Sequence, residues 1–411
     1  MFNLPNIFNT KKREHIHNGI ALDIGTEVLK AILFDTTANG VVVKKVARIS
    51  QQQNAMSKGV IKNLNTVLEN CRLAINELTE HIPETEKPKD VVLGIAGEYI
   101  QGVSILVNYE REDRYDKEVT EIEQEKIISK VHRQIEETGK DDLAKRTGLV
   151  NEDIEILHMT ITGMEIGGIR VDSLVGYRGK EVKIHFYASF APKTYTSALR
   201  SVTKNLHLNL VGVVSQPFSV ARGFAGSTEK DFSGIFIDIG GGTTDIAIVD
   251  KGSVIDTQMF AFGGRVFTKE LATELNIDYR HAEQRKVKYT ENELNDRIKK
   301  QMKNILYPVA KVWMNTLKSA LEINQDIEAY PTKIYLCGGG SLLPEIKEVM
   351  IEFPWTKLLP FATVPKIEII YPNKLGNLID QSSQLLYTYD ITPASLTLYA
   401  YDKISNPTIH N

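Results

Sequence analysis

The chain has 411 residues, too many for one hydrophobic core, so its length predicts two to four compact units. Its hydrophobic content of 42% and charged content of 25% are typical of a globular protein. Its formal charge of −3 argues against a general nucleic-acid binder, which would be expected to have a basic surface. The two cysteines, Cys71 and Cys337, are too few for a disulfide framework or a thiolate metal site, which favours a reducing, cytoplasmic location.

The first predicted element is a tail over residues 1–18, which opens with MFNLPNIFNTKKR. Apolar residues precede three basic residues here, a pattern that suits insertion into a membrane surface followed by attraction to anionic headgroups. Three asparagines and a proline before the basic residues make the run a poor helix, so a disordered tail or a peptide that binds a protein partner is the alternative.

Residues 22–35, LDIGTEVLKAILFD, predict a strand, a tight turn and a second strand. Gly25 permits backbone amides to approach an anion, and Thr26 adds a hydroxyl donor. Taken alone, the segment is also compatible with an ordinary strand that ends in a turn.

A densely charged stretch follows at residues 108–147. Ile127, Val131 and Ile135 recur there at i, i+4 and i+8, which predicts an amphipathic helix with a solvated face. Thr120 and Glu123 have the spacing of a capping box, so we expect the helix to begin there. The helix belongs to a small strand, helix and strand unit predicted over about residues 90–180.

Residues 237–250, IDIGGGTTDIAIVD, repeat the pattern of the first hairpin. Glycines, threonines and two bracketing aspartates make up the turn: Asp238, Gly240, Gly241, Gly242, Thr243, Thr244 and Asp245. Successive exposed amides form an anion-binding nest, and a carboxylate beside phosphates requires a cation between them. Two matched hairpins in one chain predict two related lobes that face one ligand, a polyphosphate held with Mg²⁺.

A third glycine cluster lies in KIYLCGGGSLLPEI. The segment predicts a buried strand from Ile334 to Cys337 and a helix that begins near Pro344, with Gly338, Gly339, Gly340 and Ser341 between them. Such a turn suits backbone contact with the base or sugar of a nucleotide. Upstream, YRHAEQRKVKY places Glu283 and Lys286 three residues apart on a predicted helix, a spacing that is also typical of a solvated salt bridge.

These segments resemble, in this order, the actin and heat-shock chaperone superfamily of ATPases. ALDIGTEVLKAIL and FIDIGGGTTDIAIVDKG are similar to its two phosphate segments, and LCGGGSLLP is similar to its adenosine segment. FGGRVFTKELATELNIDYRHAEQRK resembles the FtsA helix pair whose Ala-Glu-x-x-Lys motif contacts adenosine, here Ala282, Glu283 and Lys286. The chain is therefore identified as an FtsA-like member of this superfamily, over roughly residues 19–395.

The resemblance implies ATP and Mg²⁺ as cofactors. It implies cofactor contacts by Asp23, Gly25, Thr26, Gly240, Gly241, Gly242, Thr243, Thr244, Glu283, Lys286, Gly338, Gly339, Gly340 and Ser341. Asp23 and Asp238 would hold Mg²⁺ through water, with Asp238 also catalytic. Gln216, just before a helix predicted to begin at Pro217, would lie near the attacking water, although a helix-capping or buried-amide role is the alternative.

The fold implied is an α/β, actin-like ATPase fold with two duplicated lobes and an inserted small α+β subdomain. The expected division of the chain is an N-terminal tail at 1–18, a first lobe at 19–90 and 180–230, the FtsA-type insertion at 91–179, a second lobe at 231–395 with a helix-rich subdomain at about 262–327, and a C-terminal tail at 396–411.

The function implied is a slow ATPase at most, which self-associates into filaments and links the division ring of the tubulin-like FtsZ to other division proteins and to the inner face of the membrane. FtsA proteins usually end in a linker and a basic amphipathic helix, which TLYAYDKISNPTIHN does not resemble, so the membrane tether is expected to be missing or moved. Three alternatives stay open: a PilM-like scaffold for type IV pilus assembly, an actin-fold small-molecule kinase and a plasmid-segregating actin. No acceptor-binding carboxylates are identified for the kinase, and plasmid-segregating actins lack an insertion of this type.

Overall fold

The computed structural model describes residues 15–97, 99–111, 115–225, 232–323 and 327–405, and the apolar and basic segment predicted at residues 1–13 lies outside them. The last residues of the expected N-terminal tail belong to the fold. Ile16 is buried, and its backbone exchanges two hydrogen bonds with Thr36. None of the helices in the described ranges combines the length and the apolar character needed to cross a bilayer.

The structure contains two large sheets, one short ribbon and ten α-helices within the described residues. The strands are β1 (Gly19–Ile24), β2 (Val28–Thr37), β3 (Gly40–Ser50), β4 (Met56–Ser57), β5 (Val60–Ile61), β6 (Asp90–Ile95), β7 (Gln101–Glu110), β8 (Ile154–Ile166), β9 (Ile169–Val171), β10 (Glu181–Pro192), β11 (Asn209–Ser215), β12 (Gly234–Ile239), β13 (Thr244–Asp250), β14 (Ser253–Phe260), β15 (Lys333–Cys337), β16 (Lys366–Ile369) and β17 (Leu378–Asp380). The helices are α1 (Leu64–Thr79), α2 (Glu121–Thr147), α3 (Lys193–Asn205), α4 (Gln216–Ala225), α5 (Gly264–Glu274), α6 (Tyr279–Thr290), α7 (Asp296–Leu321), α8 (Pro344–Glu352), α9 (Trp355–Leu358) and α10 (Ile391–Ser405).

The two lobes are built on the same strand plan. In the first lobe, β1, β2 and β3 form an antiparallel meander, and β6 and β11 extend it on the β1 side in parallel. In the second lobe, β12, β13 and β14 form the meander, and β15 and β16 extend it on the β12 side in parallel. The repeated sequence is therefore a repeated fold, which confirms the predicted duplication and the α/β, actin-like class.

The inserted unit continues the sheet of the second lobe. Its strands β7, β10, β8 and β9 follow β14, to which β7 pairs at two positions, and α2 packs on them. The hydroxyl of Thr120 accepts a hydrogen bond from the Glu123 amide at the start of α2, and Ile127, Val131 and Ile135 are buried, as predicted. The carboxylate of Glu123 pairs with Arg111 instead of completing the capping box.

Three further expected boundaries differ from the strand pairing and packing. Strand β6 lies between β1 and β11, so the start of the insertion at residue 91 falls inside the first-lobe sheet. At the other end, β10 pairs with β7 up to Phe190 and with β8 up to Pro192, so the insertion runs past residue 179. The C-terminal tail expected at 396–411 is wrong up to Ser405, because α10 packs on α4 and β1 with Leu396 and Ala400 fully buried.

Candidate functional site

A cavity of about 760 Å³ opens between the lobes, and both repeated hairpins line it. The turn between β1 and β2 contributes Gly25 and Thr26, and the turn between β12 and β13 contributes residues 240–243. Each turn joins two antiparallel strands of one meander, so each lobe presents the same structural feature to one shared space.

The two turns touch each other, and their glycines make this approach possible. A β-carbon at Gly241 would lie 2.5 Å from Cγ of Glu27, and one at Gly242 would lie 2.7 Å from Oγ1 of Thr26. Atoms at these separations overlap, so any side chain at Gly242 would push the turns apart or displace Thr26.

The glycine turn is also held in a fixed orientation by the start of α5. The carbonyl oxygens of Gly240 and Gly241 accept hydrogen bonds from the amides of Gly264 and Arg265, both at 2.8 Å. In a trans peptide the carbonyl and the following N–H point in opposite directions, so the amides of Gly241 and Gly242 are directed away from α5. Consecutive amides that point the same way form a site for an anion.

Charged side chains meet at the ends of the hairpins. Asp23 on β1 faces Lys30 on β2, and the Lys30 ammonium lies 2.8 Å from Oδ2 of Asp23. The amide nitrogen of Gln216 donates to the other oxygen of Asp23 at 2.7 Å, and all three side chains line the cavity. On the second lobe, the buried Asp238 accepts a hydrogen bond from the hydroxyl of Thr392 on α10.

The buried carboxylates create an excess of negative charge. Burial raises the pKa of Asp238, and it raises the pKa of Asp245 well above the usual range, with the Asp238 carboxylate adding to the effect. Within the described part of the chain, Oδ1 of Asp245 has no hydrogen-bond partner. Burial lowers the pKa of Lys30, but the hydrogen bond to Asp23 and the charges of Asp23, Asp238 and Asp390 together outweigh this effect, so the net pKa is raised. Asp23, Asp238 and Asp245 thus lie close enough to interact, and Lys30 is bonded to Asp23 alone among them, an arrangement that a bound cation would stabilise.

The other end of the cavity is formed by α6 and the third glycine cluster. The ammonium of Lys286 bonds the carboxylate of Glu283 at 2.8 Å and the hydroxyl of Thr268 at 2.7 Å, so this pair is partly buried rather than solvated. Gly338 has a φ of 80°, and a β-carbon there would lie 2.1 Å from Oδ1 of Asp238. The predicted strand, glycine turn and helix beginning at Pro344 are all present.

The sequence of the chain is similar to FtsA proteins. A family model described as cell division protein FtsA matches residues 235–383. The cell division protein FtsA of Enterococcus hirae is 21% identical over 412 residues, which cover 92% of this chain and 86% of that protein. The FtsA of Pseudomonas aeruginosa is 22% identical over 277 residues, which cover 66% of this chain and 60% of that protein.

Solved structures share the fold over nearly the whole chain. A structure of the PilM-PilN type IV pilus biogenesis complex superposes with a TM-score of 0.65 at 15% identity, covering 93% of this chain and 98% of that one. The ethanolamine utilization protein EutJ of Carboxydothermus hydrogenoformans superposes with a TM-score of 0.50 at 14% identity, covering 95% of this chain and 92% of that one. At these identities the likeness shows the fold alone. The chain is similar to FtsA proteins and has the actin-like fold.

Most of the residues predicted to bind nucleotide line this cavity. They are Asp23, Gly25, Thr26, Gln216, Asp238, Gly240, Gly241, Gly242, Thr243, Glu283, Lys286, Gly338, Gly339 and Gly340. Gln216 is the first residue of α4, one before Pro217, and its side-chain amide donates a hydrogen bond to Asp23. Two predicted residues have structural roles instead.

Thr244 and Ser341 do not line the cavity. The Thr244 hydroxyl is fully buried, donates to the Phe262 carbonyl at 2.6 Å and accepts from the Trp313 indole at 2.9 Å. The Ser341 hydroxyl donates to the Gly338 carbonyl at 2.7 Å and closes the glycine turn. Thr244 begins β13, where side chains alternate between faces, so Thr243 and Thr244 are not equivalent despite being neighbours.

Sequence reasoning missed several residues of the cavity. Lys30 could have been predicted from the sequence, because pairing the two strands of the first hairpin about their turn places Lys30 directly opposite Asp23. Arg48 on β3 binds Asp390 at 2.7 Å and lies beside the stacked rings of Tyr387 and Tyr389, and all but Asp390 line the cavity. These contacts join residues more than 300 positions apart, and no local pattern announces them.

Proposed function

We propose that this FtsA-like protein binds ATP with Mg²⁺ in the cleft between its two lobes. The observation that carries the proposal is the meeting of the two duplicated turns across one cavity, each beside a buried aspartate, Asp23 or Asp238. Amides of the turns and the Lys30 ammonium would take the phosphate charge, and the glycine cluster with α6 would hold the adenosine end.

The residues present fit a magnesium ion. Asp238 and Asp245 have raised pKa values because they are buried, and an oxygen of Asp245 lacks a partner among the described residues, so a cation would relieve both conditions. The described side chains offer no cluster of three or more ligands for direct metal coordination, which favours contact through water by Asp23 and Asp238. When bound, Mg²⁺ would neutralise charge on the phosphates. Gln216, fixed by its bond to Asp23, is the candidate to orient a water molecule for slow hydrolysis.

Calorimetry with Mg²⁺ and ATP tests the binding site. Asp238→Ala combined with Gly241→Val removes a carboxylate and forces a branched side chain against Glu27, so we expect ATP affinity to be lost or reduced more than 100-fold, roughly 3 kcal/mol. Asp153→Ala, an exposed carboxylate in the inserted unit, is the control and leaves affinity unchanged. Unchanged affinity in the double variant, with the fold intact, refutes the site.

We propose further that the protein is a nucleotide-dependent scaffold of cell division that self-associates and recruits division proteins, FtsZ among them. The FtsA relatives support this proposal, and lobes that close on a ligand provide a conformational signal for polymer contacts. Isolation of the tagged protein from its native cell tests the role. Division-ring proteins among its partners support it, whereas pilus-assembly proteins alone would favour the PilM-like alternative.

The inserted unit is the proposed surface for self-association. It carries α2 and the outer strands of the long sheet, and its own hydrophobic core is separate from the cavity. Deleting it should abolish sedimentation of polymer and spare ATP binding. Loss of ATP binding with polymer intact contradicts the assignment.

Peripheral membrane contact through residues 1–13 is a proposal from sequence alone, since these residues lie outside the described ranges. We expect the protein to cosediment with anionic vesicles, weakly as a monomer and strongly when polymerised, because many weak anchors add by avidity. Equal vesicle binding after removal of residues 1–13 excludes this tether.

A further inference from the structure

Arg265, near the start of α5, joins the two hairpin turns through both its backbone and its side chain. Its amide donates to the carbonyl of Gly241 in the second-lobe turn at 2.8 Å. Its guanidinium donates to the carbonyl of Thr26 in the first-lobe turn at 2.9 Å, and to the carbonyl of Met56 on β4 at 2.9 Å. One residue is therefore bonded to the turn of each lobe.

The charge of Arg265 is used locally. Its Nε donates to the carboxylate of Glu27, and the hydroxyl of Tyr279 on α6 donates to the same oxygen at 3.0 Å. The side chains of Arg265 and Glu27 are 15% and 26% exposed, so the pair is largely shielded from water. Arg265 is not among the described residues that line the cavity. Because its guanidinium is paired with Glu27 and two carbonyls, Arg265 differs in role from an arginine that binds phosphate directly.

The two carbonyl contacts fix the direction of two amides. Because the carbonyl and the next N–H of a trans peptide point in opposite directions, the bond to Thr26 directs the Glu27 amide away from Arg265. The bond to Gly241 does the same for the Gly242 amide. These amides belong to the two turns that touch across the cleft.

We propose that Arg265 is a positioning residue that sets one amide donor in each phosphate turn and holds the two turns at a fixed separation. The inference rests on the proposed binding of ATP in the cleft for its functional consequence. Its structural content, that Arg265 couples the turns of the two lobes, does not depend on any nucleotide.

Hydrogen exchange measured by mass spectrometry on the nucleotide-free full chain tests the coupling. Arg265→Ala should speed exchange at least tenfold in the peptide that covers the first-lobe turn, residues 23–30, because the charge-assisted hydrogen bonds to Thr26 and Glu27 are lost. It should also speed exchange in residues 238–246, because that turn keeps the backbone bond from residue 265 to Gly241 but loses the side-chain link to the first lobe. Arg178→Ala is the matched control, since Arg178 forms an exposed ion pair with Glu118 in the inserted unit. Arg265→Lys keeps the charge but lacks the planar fork, so an intermediate effect is expected, and this variant carries the test if the alanine variant does not fold.

Nucleotide affinity tests the functional consequence. Arg265→Ala should weaken ATP binding about 10-fold to 100-fold and leave adenosine binding within twofold, because only the phosphate end depends on the oriented amides. Equal weakening of ATP and adenosine, or unchanged exchange in either turn, overturns the proposal. A wild-type protein that binds no ATP refutes the proposed function instead, and the exchange of the two turns then still decides whether Arg265 couples them.

Discussion

Alanine substitutions at two adjacent glycines, Gly338 and Gly339, are expected to have opposite effects on stability. Gly338 has a φ of 80°, and a β-carbon there would lie 2.1 Å from Oδ1 of Asp238 and 2.6 Å from the carbonyl oxygen of Ile239. At Gly339, a β-carbon would meet no heavy atom of the described chain within 4 Å, and the backbone is not left-handed. The same chemical change thus meets two different environments in one turn.

The expected magnitude follows from these contacts. The left-handed backbone costs an alanine about 1–2 kcal/mol, and the overlap with a backbone carbonyl and a buried carboxylate adds about 1–3 kcal/mol. Gly338→Ala should therefore lower the free energy of unfolding of the second lobe by about 2–5 kcal/mol. Gly339→Ala should leave it unchanged or raise it by up to about 1 kcal/mol, because alanine reduces the freedom of the unfolded chain.

Tryptophan fluorescence during urea unfolding measures this difference directly. The two tryptophans of the sequence, Trp313 and Trp355, are both buried in the core of the second lobe, so their emission reports that lobe. Gly338→Ala should shift the midpoint to lower urea, and Gly339→Ala should not. Equal midpoints for the two variants would show that the glycine turn does not have the geometry described.

Three other substitutions test individual groups. Asp245→Asn should raise the urea midpoint of the nucleotide-free protein at pH 7, and it should flatten the decrease of that midpoint as the pH rises above about 4. The reason is that a carboxyl whose pKa is raised on folding stabilises the folded state only while it is protonated. A lower midpoint in the variant contradicts this prediction. Thr244→Val should lower the free energy of unfolding by about 1–3 kcal/mol, because it leaves the Trp313 indole N–H unpaired. ATP affinity measured by calorimetry should not change, and a loss of affinity would show that Thr244 takes part in binding. Ile135→Ala should cost about 2–5 kcal/mol within the inserted unit, seen as faster hydrogen exchange in α2 with the tryptophan midpoint unchanged; a shifted midpoint would mean that the unit and the second lobe unfold together.

Local physical chemistry was enough to predict much of this protein from its sequence. The two hairpins, the glycine turn after β15 and the capped start of α2 each depend on residues within one short segment. Alternation of apolar residues, the conformational freedom of glycine and the capping hydroxyl of Thr120 act over a few positions, so they are legible in the chain. Their duplication then predicted two lobes around one cavity.

Only the tertiary structure decided which side chains share that cavity. Residues 391–405 have no strong local pattern, yet they form α10, whose first ten residues are buried. The packing of α10 on α4 and β1 brings Thr392 to Asp238. Thr243 faces the cavity and Thr244 faces Trp313, a choice set by the partners of β13. Arg265 meets Glu27 only after both lobes have folded. Such contacts form between elements that are far apart in the sequence but packed together in the fold, so no short segment of the sequence predicts them.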